Sequence, residues 1–230
     1  MSLLLLAAVA FAGTHFLLSH PLRAPLVHAL GERAFTGVYS LVAIATLAWM
    51  VSAYLKAPTT PLLWPVGDGI WATVSVLTLI ASILLAGSLV RNPAFPKPGA
   101  PASAAGPARG VYAVTRHPML WSFAIWGLAH ILVYPIAKTF IVTGAIIVLA
   151  LVGAALQDRK KELLQPQQWL DWERRTSYLP FAAVAAGRAH LGGFGPFAIL
   201  GGLAFWLVVT WAHIPLAGWP AGIWRWLLKA

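Results

Sequence analysis

No cysteine occurs in this chain, and only six of its 230 residues are acidic. Without cysteine there are no disulfides, no cysteinyl iron–sulfur cluster, no haem attached through a Cys-x-x-Cys-His motif and no thiol nucleophile. All six carboxylates lie outside the long apolar runs. This argues against proton pumps and cation transporters, which usually keep a carboxylate in mid-membrane. A glycine-rich phosphate loop, a Ser/His/Asp set and paired carboxylates are also missing, so hydrolase and kinase chemistry have no visible residues.

Apolar residues dominate what is present. The chain is 60% hydrophobic and 10% charged, with a mean hydropathy of +0.78, whereas an ordinary soluble domain is about 25% charged. The composition predicts an all-α, polytopic transmembrane helical bundle forming one integral membrane domain over residues 1–230. The net charge of +10 resides in loops between apolar runs. We therefore expect contact with anionic membrane lipid and no nucleic-acid function.

Six apolar runs predict the membrane spans, at about residues 2–19, 34–55, 70–90, 118–134, 139–156 and 196–214. Residues 22–33 suit a short interfacial helix, and residues 157–195 interleave basic residues with tryptophan and leucine, which predicts an amphipathic segment on the membrane surface after span five. The Pro-, Ala- and Gly-rich residues 91–110 predict an extended or mobile loop. A tail with Trp219, Trp224 and Trp226 is typical of an aromatic belt anchor.

The basic residues are distributed unevenly among the loops. Twelve of the 16 Lys and Arg residues fall in the first, third and fifth connections. Because positively charged loops stay in the cytoplasm, these connections are predicted to be cytoplasmic, with both chain ends on the other side.

Three histidines, His15, His130 and His213, lie in or at the ends of apolar spans. Neutral imidazole is a good iron ligand, and two imidazoles from facing helices can hold a haem between them. A rise of 1.5 Å per residue places His15 and His130 at levels about 8 Å apart, which permits this pair without requiring it. The alternative for each is a hydrogen bond to a neighbouring helix, and for His213 a satisfied interfacial histidine is the preferred interpretation.

The step Arg116-His117-Pro118 opens span four. Proline suits the first helical turn, and Arg116 could simply extend to phosphate headgroups. The functional interpretation is an anion clamp, in which a cation beside a helix N-terminus holds a haem propionate or a cofactor carboxylate.

Several motifs occur in the same order as in a known family. They are the Ala-Gly-Thr-His end of span one, Leu-Gly-Glu-Arg-Ala-Phe at residues 30–35, Thr-Arg-His-Pro at 115–118, Trp-Gly-Leu-Ala-His at 126–130 and Asp-Arg-Lys-Lys at 158–161. Over about residues 1–165 the chain resembles the NnrU family of bacterial membrane proteins, which are linked to denitrification, that is, to nitrite and nitric oxide reduction. The resemblance implies a multi-pass protein of the bacterial inner membrane.

NnrU proteins are homologous to zeta-carotene isomerase, a membrane enzyme that uses haem b to isomerise a cis double bond. Carried over, the resemblance implies that His15 and His130 ligate the iron of one haem b, with Arg116 and His117 near a second polar site, and it allows a hydrophobic small-molecule substrate. The isomerase has a cysteine where this chain has Gly127, so a thiolate ligand is excluded here and carotene isomerisation is in doubt.

Two other functions remain open. The Arg-His-Pro step is similar to that of the isoprenylcysteine carboxyl methyltransferase group, which binds S-adenosylmethionine, although the acidic pair of those enzymes is matched only weakly by Asp171 and Glu173. The third possibility is a haem-bearing sensor or assembly factor for nitric oxide metabolism that has no turnover of its own.

Overall fold

The computed structural model describes residues 1–93 and 108–228, and every regular element within them is a helix. Most of the loop predicted at residues 91–110 lies outside the described residues. The elements are α1 (Ser2–Ser19), α2 (Arg23–Leu30), α3 (Glu32–Lys56), α4 (Asp68–Ser88), α5 (Val111–Val114), α6 (Pro118–Val133), α7 (Ala137–Leu164), α8 (Pro166–Arg175), α9 (Ala182–Ala185), α10 (Pro196–Ala217) and α11 (Trp224–Leu227).

The predicted helical membrane bundle is confirmed. Five helices, α1, α3, α4, α7 and α10, are long and apolar enough to cross a membrane, and α6 is a shorter apolar helix of 16 residues. Many large apolar side chains on these helices are exposed, such as Leu6 at 57% and Leu41 at 69%. A lipid environment satisfies such surfaces, whereas water would not.

Proline sets the starts of two apolar helices and the end of a third. Pro118 and Pro196 occupy the first turns of α6 and α10, where the missing N–H is not needed. The helix α7 runs to Leu164, eight residues past the predicted span end at residue 156. The charged residues after Leu156 favour helix as well as the apolar ones do, and the first strong stop signal is Pro166, which restricts the residue before it.

The five long helices and the shorter α6 pack side by side, each on the next, in the order α3, α1, α7, α6, α4, α10. The helix α7 packs against both α1 and α6, while the α1–α6 pair is not among the main helix contacts. The ends of these helices lie on two sides of the bundle, which we call the basic face and the opposite face. The basic face holds the first, third and fifth connections, where the Arg116 amide donates to the Ser177 carbonyl. At the opposite face the Leu63 amide donates to the Pro135 carbonyl.

The two predicted surface helices differ from expectation in one respect. The short helix α2 lies in the first connection as predicted, and α8 is amphipathic with Asp171 and Arg174 exposed. However, Trp169 and Trp172 are each only 2% exposed and pack in a core with Leu84 and Tyr112. The indole side of this amphipathic helix therefore packs on the protein itself, which supplies an apolar surface for it.

The C-terminal tail folds back on the bundle instead of only projecting as a belt anchor. Trp219 packs against Tyr134, with ring centroids 5.4 Å apart. The Trp224 indole N–H donates to the Leu207 carbonyl at 3.0 Å. These contacts place the tail beside the C-terminal half of α10, where Trp219 and Gly222 line the cavity described next.

Candidate cofactor cavity

A cavity of about 840 Å³ lies among α4, α6, α10 and the C-terminal tail. Most of its lining is apolar and aromatic, including Trp71, Phe123 and Phe205. Its volume is within the range of cavities that enclose small-molecule ligands. The polar side chains among its lining residues are few: serines, threonines, two tyrosines, two histidines and one lysine, besides the tryptophan indoles.

The two histidines are His130 of α6 and His213 of α10. Their ring centroids are 6.3 Å apart and their ring planes are inclined by 30°. The His130 Nδ1 lies 2.8 Å from the Trp126 carbonyl, and the His213 Nδ1 lies 2.7 Å from the Val209 carbonyl. A carbonyl only accepts, so Nδ1 carries the proton on both rings, and Nε2 of each neutral imidazole keeps its lone pair.

One lysine, Lys138, supplies the cavity with positive charge. It is 9% exposed, and its ammonium nitrogen lies 4.7 Å from the centroid of the Tyr54 ring. Among the described lining residues it is the one with a formal charge. A cation over an aromatic face is partly stabilised by the ring, and an anionic group of a ligand would stabilise it further.

The structure does not bring His15 and His130 together. His15 lies on α1, four residues before the end of the helix at the basic face, while His130 lies three residues before the end of α6 at the opposite face. The His15 Nδ1 donates to the Phe11 carbonyl at 2.7 Å, and its ring meets the Tyr39 ring edge-on. The described residues lining the cavity do not include His15.

A second polar site lies at the basic face, around Asp158. Arg116 donates to Asp158 Oδ2 from Nε at 2.8 Å and from Nη2 at 2.6 Å, and its Nη2 is 3.1 Å from Glu173. His117 Nε2 lies 2.8 Å from Asp158 Oδ1. The Trp169 indole N–H reaches the same oxygen at 3.2 Å. We call these five residues the Asp158 cluster.

In the Asp158 cluster, Arg116 and His117, the residues of the predicted anion clamp, bind the protein's own carboxylate of Asp158. The Arg116 side chain is 13% exposed and faces two carboxylates, so the interpretation in which it extends to lipid headgroups is wrong. Burial is the largest influence on the pKa of Glu173 and raises it, against the lowering effect of Arg116. Burial also raises the pKa of Tyr178, whose ring packs against His117.

Comparison with known proteins decides the family. Residues 3–221 match the family model described as NnrU protein. The chain belongs to the NnrU family. No curated protein and no solved structure matches it. The family match extends well beyond residues 1–165, on which the resemblance was based, and includes α10 and His213.

In this NnrU chain, sequence reasoning missed His213 as a cavity residue and Asp158 as the centre of a cluster. His213 was interpreted as a satisfied interfacial histidine. The available signal was that His213 and His130 both lie in the last turns of their helices, at the same face of the bundle. Gly127 faces α7, where an added Cβ would lie 2.8 Å from Ile147 Cγ1. Its position therefore serves helix packing, and the described cavity lining does not include it.

Proposed function

We propose that this NnrU protein binds one haem b in the cavity among α4, α6 and α10, with His130 as an axial ligand, and that it acts in nitrite or nitric oxide metabolism. The main support for this proposal is that His130 lines an apolar cavity while its Nδ1 donates to the Trp126 carbonyl. Such a hydrogen bond fixes the tautomer and orientation of metal-bound histidines and leaves Nε2 for the metal.

The chemistry of the cavity fits the proposed group. A haem has an apolar macrocycle, an iron that takes imidazole and two carboxylate arms, and the lining offers aromatic walls, two imidazoles and Lys138. When bound, haem supplies a redox centre whose reactivity depends on its axial ligands and on water access. The residues of this chain would hold the group, surround its macrocycle with apolar side chains such as Phe123 and Phe205, and offer a countercharge. A haem-dependent redox or isomerase-type activity on a hydrophobic small molecule is the enzyme class we propose.

The test is the visible spectrum of detergent-purified protein from a haem-replete host. We expect a Soret band, about one haem b per chain by the pyridine haemochromogen assay, and loss of most of this haem in His130→Ala. His28→Ala is the matched control, because His28 is exposed on α2. Colourless wild-type protein, or equal haem content in both variants, would contradict the proposal.

Lys138 provides a second, independent test. Replacing it by methionine keeps most of the apolar stem but removes the charge, so we expect a lower haem content and faster transfer of haem to apomyoglobin. Lys56→Met is the control, since Lys56 is exposed at the end of α3. Equal transfer rates for the two variants would show that Lys138 does not serve the bound group.

The methyltransferase alternative is less well supported. Its motif residue Arg116 and its acidic candidate Glu173 face each other in the Asp158 cluster, and Asp171 is exposed. Binding of S-adenosylmethionine by protein that has no Soret band would favour this alternative. Protein that has the band and binds nitric oxide, yet converts nothing, would instead favour the sensor.

A further inference from the structure

The geometry points to His213, and not His15, as the second imidazole of the cavity, so that His130 and His213 bind one iron from opposite sides. This inference rests on the proposed function, because it names the ligand pair of the same haem. It differs from the His15–His130 pair that the family resemblance implies.

The first argument is the distance between the rings. Two imidazoles bound on opposite sides of one metal, each at about 2 Å, have ring centres about 6 Å apart. The His130 and His213 centroids are 6.3 Å apart across the cavity. The ring planes are inclined by 30°, so side-chain rotation would have to turn both Nε2 atoms toward a common metal.

The second argument is the proton on each ring. Both histidines donate from Nδ1 to the carbonyl four residues earlier, at 2.8 Å for His130 and 2.7 Å for His213. In its neutral form each ring therefore presents an Nε2 lone pair, and no hydrogen bond to either Nε2 is found within residues 1–93 and 108–228. Two imidazoles that line one apolar cavity, each with its Nδ1 held by a carbonyl, have the form of a metal-ligand pair.

The third argument is depth and neighbourhood. His130 lies three residues from the end of α6 and His213 four residues from the end of α10, and both ends are at the opposite face. By the helical rise they are about 5–6 Å from those ends. Both helices pack on α4. His15, in contrast, lies one turn from the basic face, on a helix that α7 separates from α6.

The experiment compares His213→Ala, His15→Ala and His28→Ala as haem-loaded proteins, by absorption and electron paramagnetic resonance spectroscopy. We expect a low-spin wild type, because two imidazoles give a strong ligand field. His15→Ala and His28→Ala should keep that spectrum. His213→Ala should either become high-spin or lose at least half of its haem.

Imidazole rescue separates ligand loss from misfolding. Added imidazole should restore the low-spin spectrum of His213→Ala, because it replaces the missing ligand, and it should leave His15→Ala unchanged. A low-spin His213→Ala without added imidazole, or a spectral change in His15→Ala alone, would overturn the inference and leave the haem proposal intact. Colourless wild-type protein would overturn both.

Discussion

Replacing Asp158 by alanine should destabilise the bundle by about 3–5 kcal/mol, because it removes the buried carboxylate that Arg116, His117 and Trp169 share. The Asp158 carboxylate accepts hydrogen bonds from Arg116, His117 and Trp169. It is 9% exposed, so water cannot take its place. The measurement is the midpoint of unfolding in mixed micelles of increasing SDS content, followed by tryptophan fluorescence.

Asp171→Ala is the matched control for this substitution. Asp171 is also an aspartate at the basic face, but it is 65% exposed and lies 3.9 Å from Arg174. Exposed pairs of this kind contribute about 0–1 kcal/mol. If the two variants unfold at the same midpoint, the Asp158 cluster does not hold α5, α7 and α8 together as described.

Gly202→Ala is the second substitution with a large expected effect. A Cβ at Gly202 would lie 2.6 Å from Ile83 Cα and 2.8 Å from Ile83 N, both backbone atoms of α4. Backbone cannot move aside as a side chain can, so α10 has to shift away from α4. Overpacking of this kind costs about 1–3 kcal/mol, although alanine is itself favoured over glycine in a helix by about 1 kcal/mol.

Gly201→Ala tests whether the effect is specific to the crossing. A Cβ at Gly201 would meet the Ala86 Cβ at 3.7 Å, which is an ordinary contact. We expect this neighbour to be neutral or slightly stabilising, with Gly202→Ala clearly less stable in the same SDS titration. Haem content should fall with Gly202→Ala, because α4 and α10 both line the cavity. Equal stability of the two variants would contradict the close α4–α10 approach.

The two polar regions of the molecule have different roles. The Asp158 cluster ties the third connection to α7 and α8 through charge-assisted hydrogen bonds. The cavity lies toward the opposite face, where His130 and His213 lie in the last turns of α6 and α10. A substitution at the basic face should therefore change stability without changing the spectrum of the proposed haem in the protein that remains folded. A substitution at His213 should do the reverse.

The local elements could be predicted from the sequence to a large extent. Apolar runs of membrane length, proline at the starts of α6 and α10, and amphipathicity in α8 are local signals, and the helices follow them closely. The predicted span five ends at residue 156, where hydropathy falls, and the helix α7 continues past that point to Leu164. Helix formation depends on backbone preference, which Arg159 and Lys161 satisfy about as well as leucine does.

The sequence by itself determined that this protein is an apolar helical bundle with one basic face and with histidine as its main soft metal donor. The tertiary structure alone decided which imidazoles meet. In helices that are apolar all round, the side that packs on protein and the side that faces lipid have the same composition, so the neighbours of a helix are not encoded in its pattern. Packing places α7 between α1 and α6, brings α10 beside α4, and so sets His213 opposite His130.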